Sequence, residues 1–266
     1  MRLTRLLALL LLGVFLYACS KVPITGRKQV HLLPELDMIN MSLTQYDAFL
    51  AKAHVLPPSD PRTVMVQKVG NTIKDAVVEY CNEHSLGKRI ENFVWEFNVV
   101  DDPTVNAWCM PGGKVVFYTG ILDLTQDEKG LAVVMGHEIA HAVARHGNER
   151  MSQQLLIQAG GATLSALSQE NSSAATDLFL MSYGLASQLG SLTFSRNHET
   201  ESDKMGLVFM AMAGYNPEEA PLFWERMAAQ GSAQPPQFLS THPNHDTRIA
   251  DLNAYMDEAL KYCEGN

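Results

Sequence analysis

A chain of 266 residues, 46% hydrophobic and 18% charged, can bury one sizeable core and is too evenly mixed to be fibrous or disordered. With 29 acidic against 20 basic residues its formal charge is −9. That balance excludes nucleic acid or an anionic membrane surface as the main partner, because both call for clustered Lys and Arg.

The first element is a leader. Arg2 and Arg5 precede an almost unbroken apolar run over residues 6–16, long enough for a signal-peptide core and too short to span a bilayer comfortably. It ends in Leu16-Tyr17-Ala18-Cys19, which resembles a bacterial lipoprotein signal with Cys19 as the lipid-bearing first residue. Residues 1–18 are then lost, Arg2 and Arg5 with them, and the formal charge of domain 19–266 becomes −11. Several acyl chains on Cys19 make a stable anchor, since a single chain binds only marginally. Ser20 after the cysteine favours the outer over the inner membrane, facing the periplasm. An ordinary cleaved signal and an uncleaved anchor are the alternatives.

Residues 34–54 read as a helix, broken by Pro57-Pro58-Ser59-Asp60-Pro61, and a longer helix follows over 62–81. Residues 93–100 and 114–118 are strand candidates, with Pro111-Gly112-Gly113 as a tight turn between them. Asp127 and Glu128 open a helix over 127–150, where negative charge meets the helix dipole favourably. Residues 151–194, rich in Ala, Gly, Ser and Leu, predict a pair of packed helices. A mobile flap over a cleft is the sharper alternative. Helices over 197–213, 217–229 and 246–262 complete the chain. Cys81, Cys109 and Cys263 remain beyond Cys19, an odd number that allows one pair and one thiol.

The helix over 127–150 carries His137-Glu138-Ile139-Ala140-His141. Residues i and i+4 lie on one helical face, so two imidazoles reach one metal ion with a carboxylate beside them. Five residues match by accident too often to decide anything alone. Catalytic zinc sites usually add a third protein ligand and leave the fourth position open. The run from Ser195 supplies candidates: Glu199 and Asp203 share a face, while Glu201 points away. One carboxylate can bind metal while the other orients a ligating imidazole. A solvated acidic first turn is the bland alternative.

The His137–His141 motif, the Glu199-x-x-x-Asp203 pair, and Ser240-Thr241-His242-Pro243 followed by Arg248 occur in that order. So do Pro23-Ile24-Thr25-Gly26-Arg27, Asn106-Ala107, Pro111-Gly112-Gly113-Lys114, Tyr118-Thr119-Gly120 and Arg145-His146-Gly147. Together they resemble the M48 family of zinc metallopeptidases, in its OMA1-like and HtpX-like group. The resemblance implies a mainly helical α+β zincin-type fold with a small antiparallel sheet lining the cleft. It implies one Zn2+ per chain on His137, His141 and Glu199, Glu138 as general base toward the activated water, and Asp203 behind a ligating histidine. Arg248 would face the reacting carbonyl. His242 would either stabilise the transition state or itself cap the metal, with His245 a second candidate nearby. In the family the strand after the glycine turn pairs with an extended peptide, which implies Asn106, Gly112, Gly113, Lys114, Val115 and Val116 as substrate-binding residues. The expected activity is endoproteolysis of misfolded or misassembled envelope proteins. A proteolytically silent envelope chaperone that keeps the zinc fold is the rival.

Overall fold

The computed structural model describes residues 19–158, 172–183, 194–230, 237–243 and 247–263. The leader and His245 lie outside them. A short antiparallel hairpin, β1 (Cys19–Lys21) and β2 (Lys28–Val30), comes first. Helix α1 (Glu35–Leu50) follows, then α2 (Pro61–Glu83), whose start is set by the Asp60 carboxylate accepting from Arg62 N–H and by Pro61 at the first helical position.

Strands β3 (Glu96–Val100), β4 (Ala107–Met110) and β5 (Lys114–Tyr118) form one sheet in the order β3-β5-β4. This corrects the expected pairing. The strands over 93–100 and 114–118 run parallel, and the glycine turn joins β5 to β4, a four-residue strand with every side chain buried. Full burial removes the polar/apolar alternation by which a strand is recognised. Gly112 and Gly113 take φ of +85° and +78°, and a Cβ on Gly113 would lie 2.7 Å from Trp95. Both glycines therefore serve the turn.

After α3 (Thr119–Thr125) comes the central helix α4 (Glu128–Ala144), capped by Asp127 through Lys129 and Gly130 N–H. The single helix expected over 127–150 ends at Arg145, which takes φ +64° and turns the chain into α5 (His146–Gln158). A non-glycine residue in this left-handed position leaves no trace in the sequence. Then follow α6 (Ser172–Ser182), α7 (Arg196–Met212), α8 (Glu219–Ala229), α9 (Gln237–Thr241) and α10 (Arg248–Leu260). The architecture is the expected mainly helical α+β fold. Among the described residues no helix is long and apolar enough to cross a membrane. Helices α5 and α6 pack on one another; the rest of the segment 151–194 lies largely outside the described residues.

Helix α4 runs through the middle, between the sheet and α7. It crosses α7 where Gly136 meets Gly206: a Cβ on Gly136 would stand 3.1 Å from Gly206 O, and one on Gly206 3.1 Å from His137 N. Two glycines at one crossing let the backbones approach, and this brings the first turns of α7 onto the histidines.

Candidate metal centre and peptide cleft

Every residue of α4 from Gly130 to Ala144 is buried, so its polar side chains have no solvent to satisfy them. The Nε2 atoms of His137 and His141 face each other at 3.0 Å. Glu199, fully buried at the start of α7, sets one carboxylate oxygen 3.5 Å from His137 Nε2 and the other 3.4 Å from His141 Nε2. His242 Nδ1 stands 3.3 Å from His137 Nε2 and 3.2 Å from Glu199 Oε1. A tetrahedral ion with bonds of about 2.1 Å has donor–donor edges of about 3.4 Å. The four side chains already have that spacing, and their nitrogen and oxygen donors are those zinc accepts.

Behind His137 lies the carboxylate expected there. Asp203 Oδ1 is 2.9 Å from His137 Nδ1, which leaves Nε2 to the metal. Burial by itself would raise Asp203, but Arg248 and His137 outweigh it and hold the carboxyl below its usual range. Arg248 does not face the cleft. Its guanidinium is fully buried, donates to both oxygens of Asp203 at 2.8 and 2.7 Å, lies 3.0 Å from Glu199, and covers the Trp224 ring at 3.2 Å. Arg248, expected to meet the reacting carbonyl, lies among Asp203, Glu199 and Trp224, neutralising two buried carboxylates.

Glu201 does point away from the metal donors, but into a second buried network and not into solvent. Glu199, Glu201 and Asp203 are all buried, so the solvated acidic turn is ruled out. Beyond them, His141 Nδ1 meets His146 Nδ1 at 3.0 Å, and His146 Nε2 meets Glu201 Oε2 at 3.0 Å. Arg27 bridges Glu201 and Glu149. Sequence reading gave His146 and Arg27 no role, although both stood in the stretches that carried the resemblance.

A narrow pocket reaches the donors, lined by Asn106, Ala107, Cys109, Glu138, His141 and His242. Glu138 Oε1 is buried there with no hydrogen-bond partner among the described residues, 3.5 Å from His242 Nε2. Burial raises the Glu138 carboxyl above its ordinary range, against the pull of His242 and His137. A carboxylate so raised is a better proton acceptor than an ordinary one. His242 is stacked on Phe238 (4.5 Å, 20°), with Phe194 tilted near it at 4.9 Å.

Of the expected substrate-binding residues, Asn106 lines this pocket. Lys114, Val115 and Val116 do not: β5 is the central strand, paired on both edges, and has no free ladder for a peptide. Strand β4 is an edge with no further strand paired to it among the described residues; β3 is the other edge, bridged only by Val55 at Val100. Tyr118 N–H donates to Asn106 O, so in the antiparallel ladder Trp108 and Met110 face β5 while the N–H and C=O of Ala107 and Cys109 point outward. A larger groove of about 560 Å3, lined by Phe49, Lys52, Asp101, Tyr118 and Leu180, shares Asn106 with the metal pocket. Cys81 and Cys109 are buried free thiols, so neither forms the pair the cysteine count allowed.

A family model described as peptidase family M48 matches residues 71–256. Mitochondrial metalloendopeptidase OMA1 of Bos taurus is 32% identical, over 96% of this chain and 49% of the relative. The OMA1 protein of Schizosaccharomyces pombe is 40% identical over 62% of this chain and 48% of its own length. The beta-barrel assembly-enhancing protease of Escherichia coli is 29% identical over 66% of this chain and 38% of its own. The chain thus spans about half the length of these OMA1 relatives.

Proposed function

The chain belongs to peptidase family M48, and we propose that it is a zinc-dependent endopeptidase of the bacterial cell envelope, cutting unfolded or misassembled proteins. The observation that carries this reading is the buried Oε1 of Glu138, without a hydrogen-bond partner among the described residues, beside donors spaced for a tetrahedral zinc. When bound, zinc supplies Lewis acidity and lowers the pKa of water to near 7. The chain's own residues do the rest. Ala107 and Cys109 offer outward backbone groups to an extended substrate, whose carbonyl then passes the metal donors. Glu138 takes the proton of the attacking water and returns it to the leaving amine. Tyr183 lies against Gly147, and with Phe194 it lines the pocket.

Recognition through a strand edge selects chains that can extend, which is the state of a misassembled protein. The envelope location rests on the leader, Arg2, Arg5 and the apolar run ending at Cys19, with 19–266 as the mature, lipid-anchored domain. Casein should be cleaved, a chelator should stop cleavage, and added zinc should restore it. A stably folded protein should be cut more than about 100-fold more slowly, because it offers an extended segment only in its minor unfolded population. Cleavage untouched by the chelator would refute the reading.

His242 completes the donor set, and four protein donors are the closed pattern of a site without room for water. We infer that His242, held by Phe238, competes with water for the fourth position, so that only part of the protein is open for cleavage at any time. His242→Ala should raise basal casein cleavage about tenfold, equivalent to about 1.4 kcal/mol of competition for the site, with zinc retained. A loss of cleavage would assign His242 to the transition state instead.

A further inference from the structure

The segment Thr25–Arg27 does not line the metal pocket, yet a continuous chain of side chains joins it to a metal donor. We propose that Arg27 is a positioning residue for His141, acting through His146 and Glu201. The proposal rests on the reading that His141 binds zinc through Nε2. Its Nδ1 then carries the proton and donates to His146 Nδ1 at 3.0 Å. His146, accepting at Nδ1, has its own proton on Nε2 and donates it to Glu201 Oε2 at 3.0 Å. Arg27 fixes that carboxylate with Nε to Oε1 at 2.6 Å and Nη2 to Oε2 at 3.0 Å, and Thr25 Oγ1 adds a bond at 3.1 Å.

The arginine is held in turn. Its Nη1 and Nη2 donate to Glu149 at 2.7 and 2.6 Å, and Glu149 accepts from His198, which stacks on His146 at 4.4 Å. The turn that presents Arg27 is closed by Val22 N–H to Arg27 O and by Gly26 at φ +68°. From the next strand, Gln29 donates to Ala144 O at 2.9 Å, capping the C-terminal end of α4 three residues beyond His141. The N-terminal hairpin therefore grips both the ligand's second nitrogen and the end of the helix that carries it. His137 has its own carboxylate and arginine, Asp203 and Arg248, from the opposite end of the chain. Each metal imidazole thus has a carboxylate locked to an arginine behind it, directly for His137 and through His146 for His141, an arrangement that fixes tautomer and ring direction.

Arg27→Gln, in the full chain, tests this. Zinc affinity, read by competition with a chromophoric chelator, should fall at least about tenfold. The visible absorption of the cobalt-substituted protein should shift, and kcat on a peptide should fall with KM within about twofold. His146→Gln cuts the same relay at its other link while leaving both carboxylate pairs of Arg27 in place, and it should give the same three changes. Thr25→Val removes one bond and should give a weaker version, which keeps the test open if Arg27→Gln fails to fold. Unchanged zinc affinity and an unchanged cobalt spectrum in His146→Gln and Thr25→Val would overturn the relay and leave Arg27 as a clamp between segments. A wild type that binds no zinc would instead sink the metal reading itself.

Discussion

Glu138→Gln should lower casein cleavage about 10³-fold, within the range that removing a general acid–base group produces, while one zinc per chain stays bound. The substitution keeps the shape of the side chain, so the buried neighbourhood of α4 is not repacked. The proposed metal donors are His137, His141 and Glu199, none of which uses Glu138 as a support. What is lost is an oxygen able to take a proton, at a position where burial has already raised its affinity for one. Metal content by atomic absorption, measured on the same sample as activity, separates the two effects. Cleavage equal to wild type would remove Glu138 from the reaction.

The second large effect is on stability. Arg248→Ala leaves Asp203 and Glu199 buried without the cation that neutralises them, and breaking a buried ion pair from one side costs about 3–5 kcal/mol. For a chain of this size each kcal/mol moves Tm by about 2–4 °C, so a fall of about 10 °C is expected. Arg248→Lys should recover little, because a lysine offers neither the forked contact to Asp203 nor a planar face for Trp224. The fall should be larger without zinc, when Glu199 has no ion to face. A Tm within 2 °C of wild type alongside lost activity would return Arg248 to the reacting carbonyl.

The site was legible where it follows helical spacing. His137, Glu138 and His141 on one helix, with Glu199 and Asp203 a turn apart on another, need only the 3.6-residue repeat to be brought together. The mainly helical class follows from the same periodicity. What stayed hidden depends on contacts between distant segments. Arg145 turns the chain without a glycine, so His146 reads as another residue of a long helix when in fact it swings back to His141. Strand β4 is buried on both faces and short, and missing it made β5 look like an edge. Arg248 carries no directional signal: its position near the metal is set by α10, but only Trp224 and Asp203 decide that it points inward. Arg27 is a single basic residue 174 positions from Glu201, and nothing local announces such a pairing.

The N-terminal hairpin also bears on where such an enzyme could work. Strand β1 begins at Cys19 itself, with Cys19 opposite Val30 in the ladder, and the turn after it is locked to α7 through Arg27. With Cys19 as the acylated residue, there is no slack between lipid and catalytic body. The enzyme would travel in two dimensions, its mouth held within a few nanometres of the bilayer, about one domain diameter. On that proposal its clients would be those that stall at the membrane surface. Inserting a flexible Gly/Ser spacer after Cys19 would lengthen that leash without touching the metal centre.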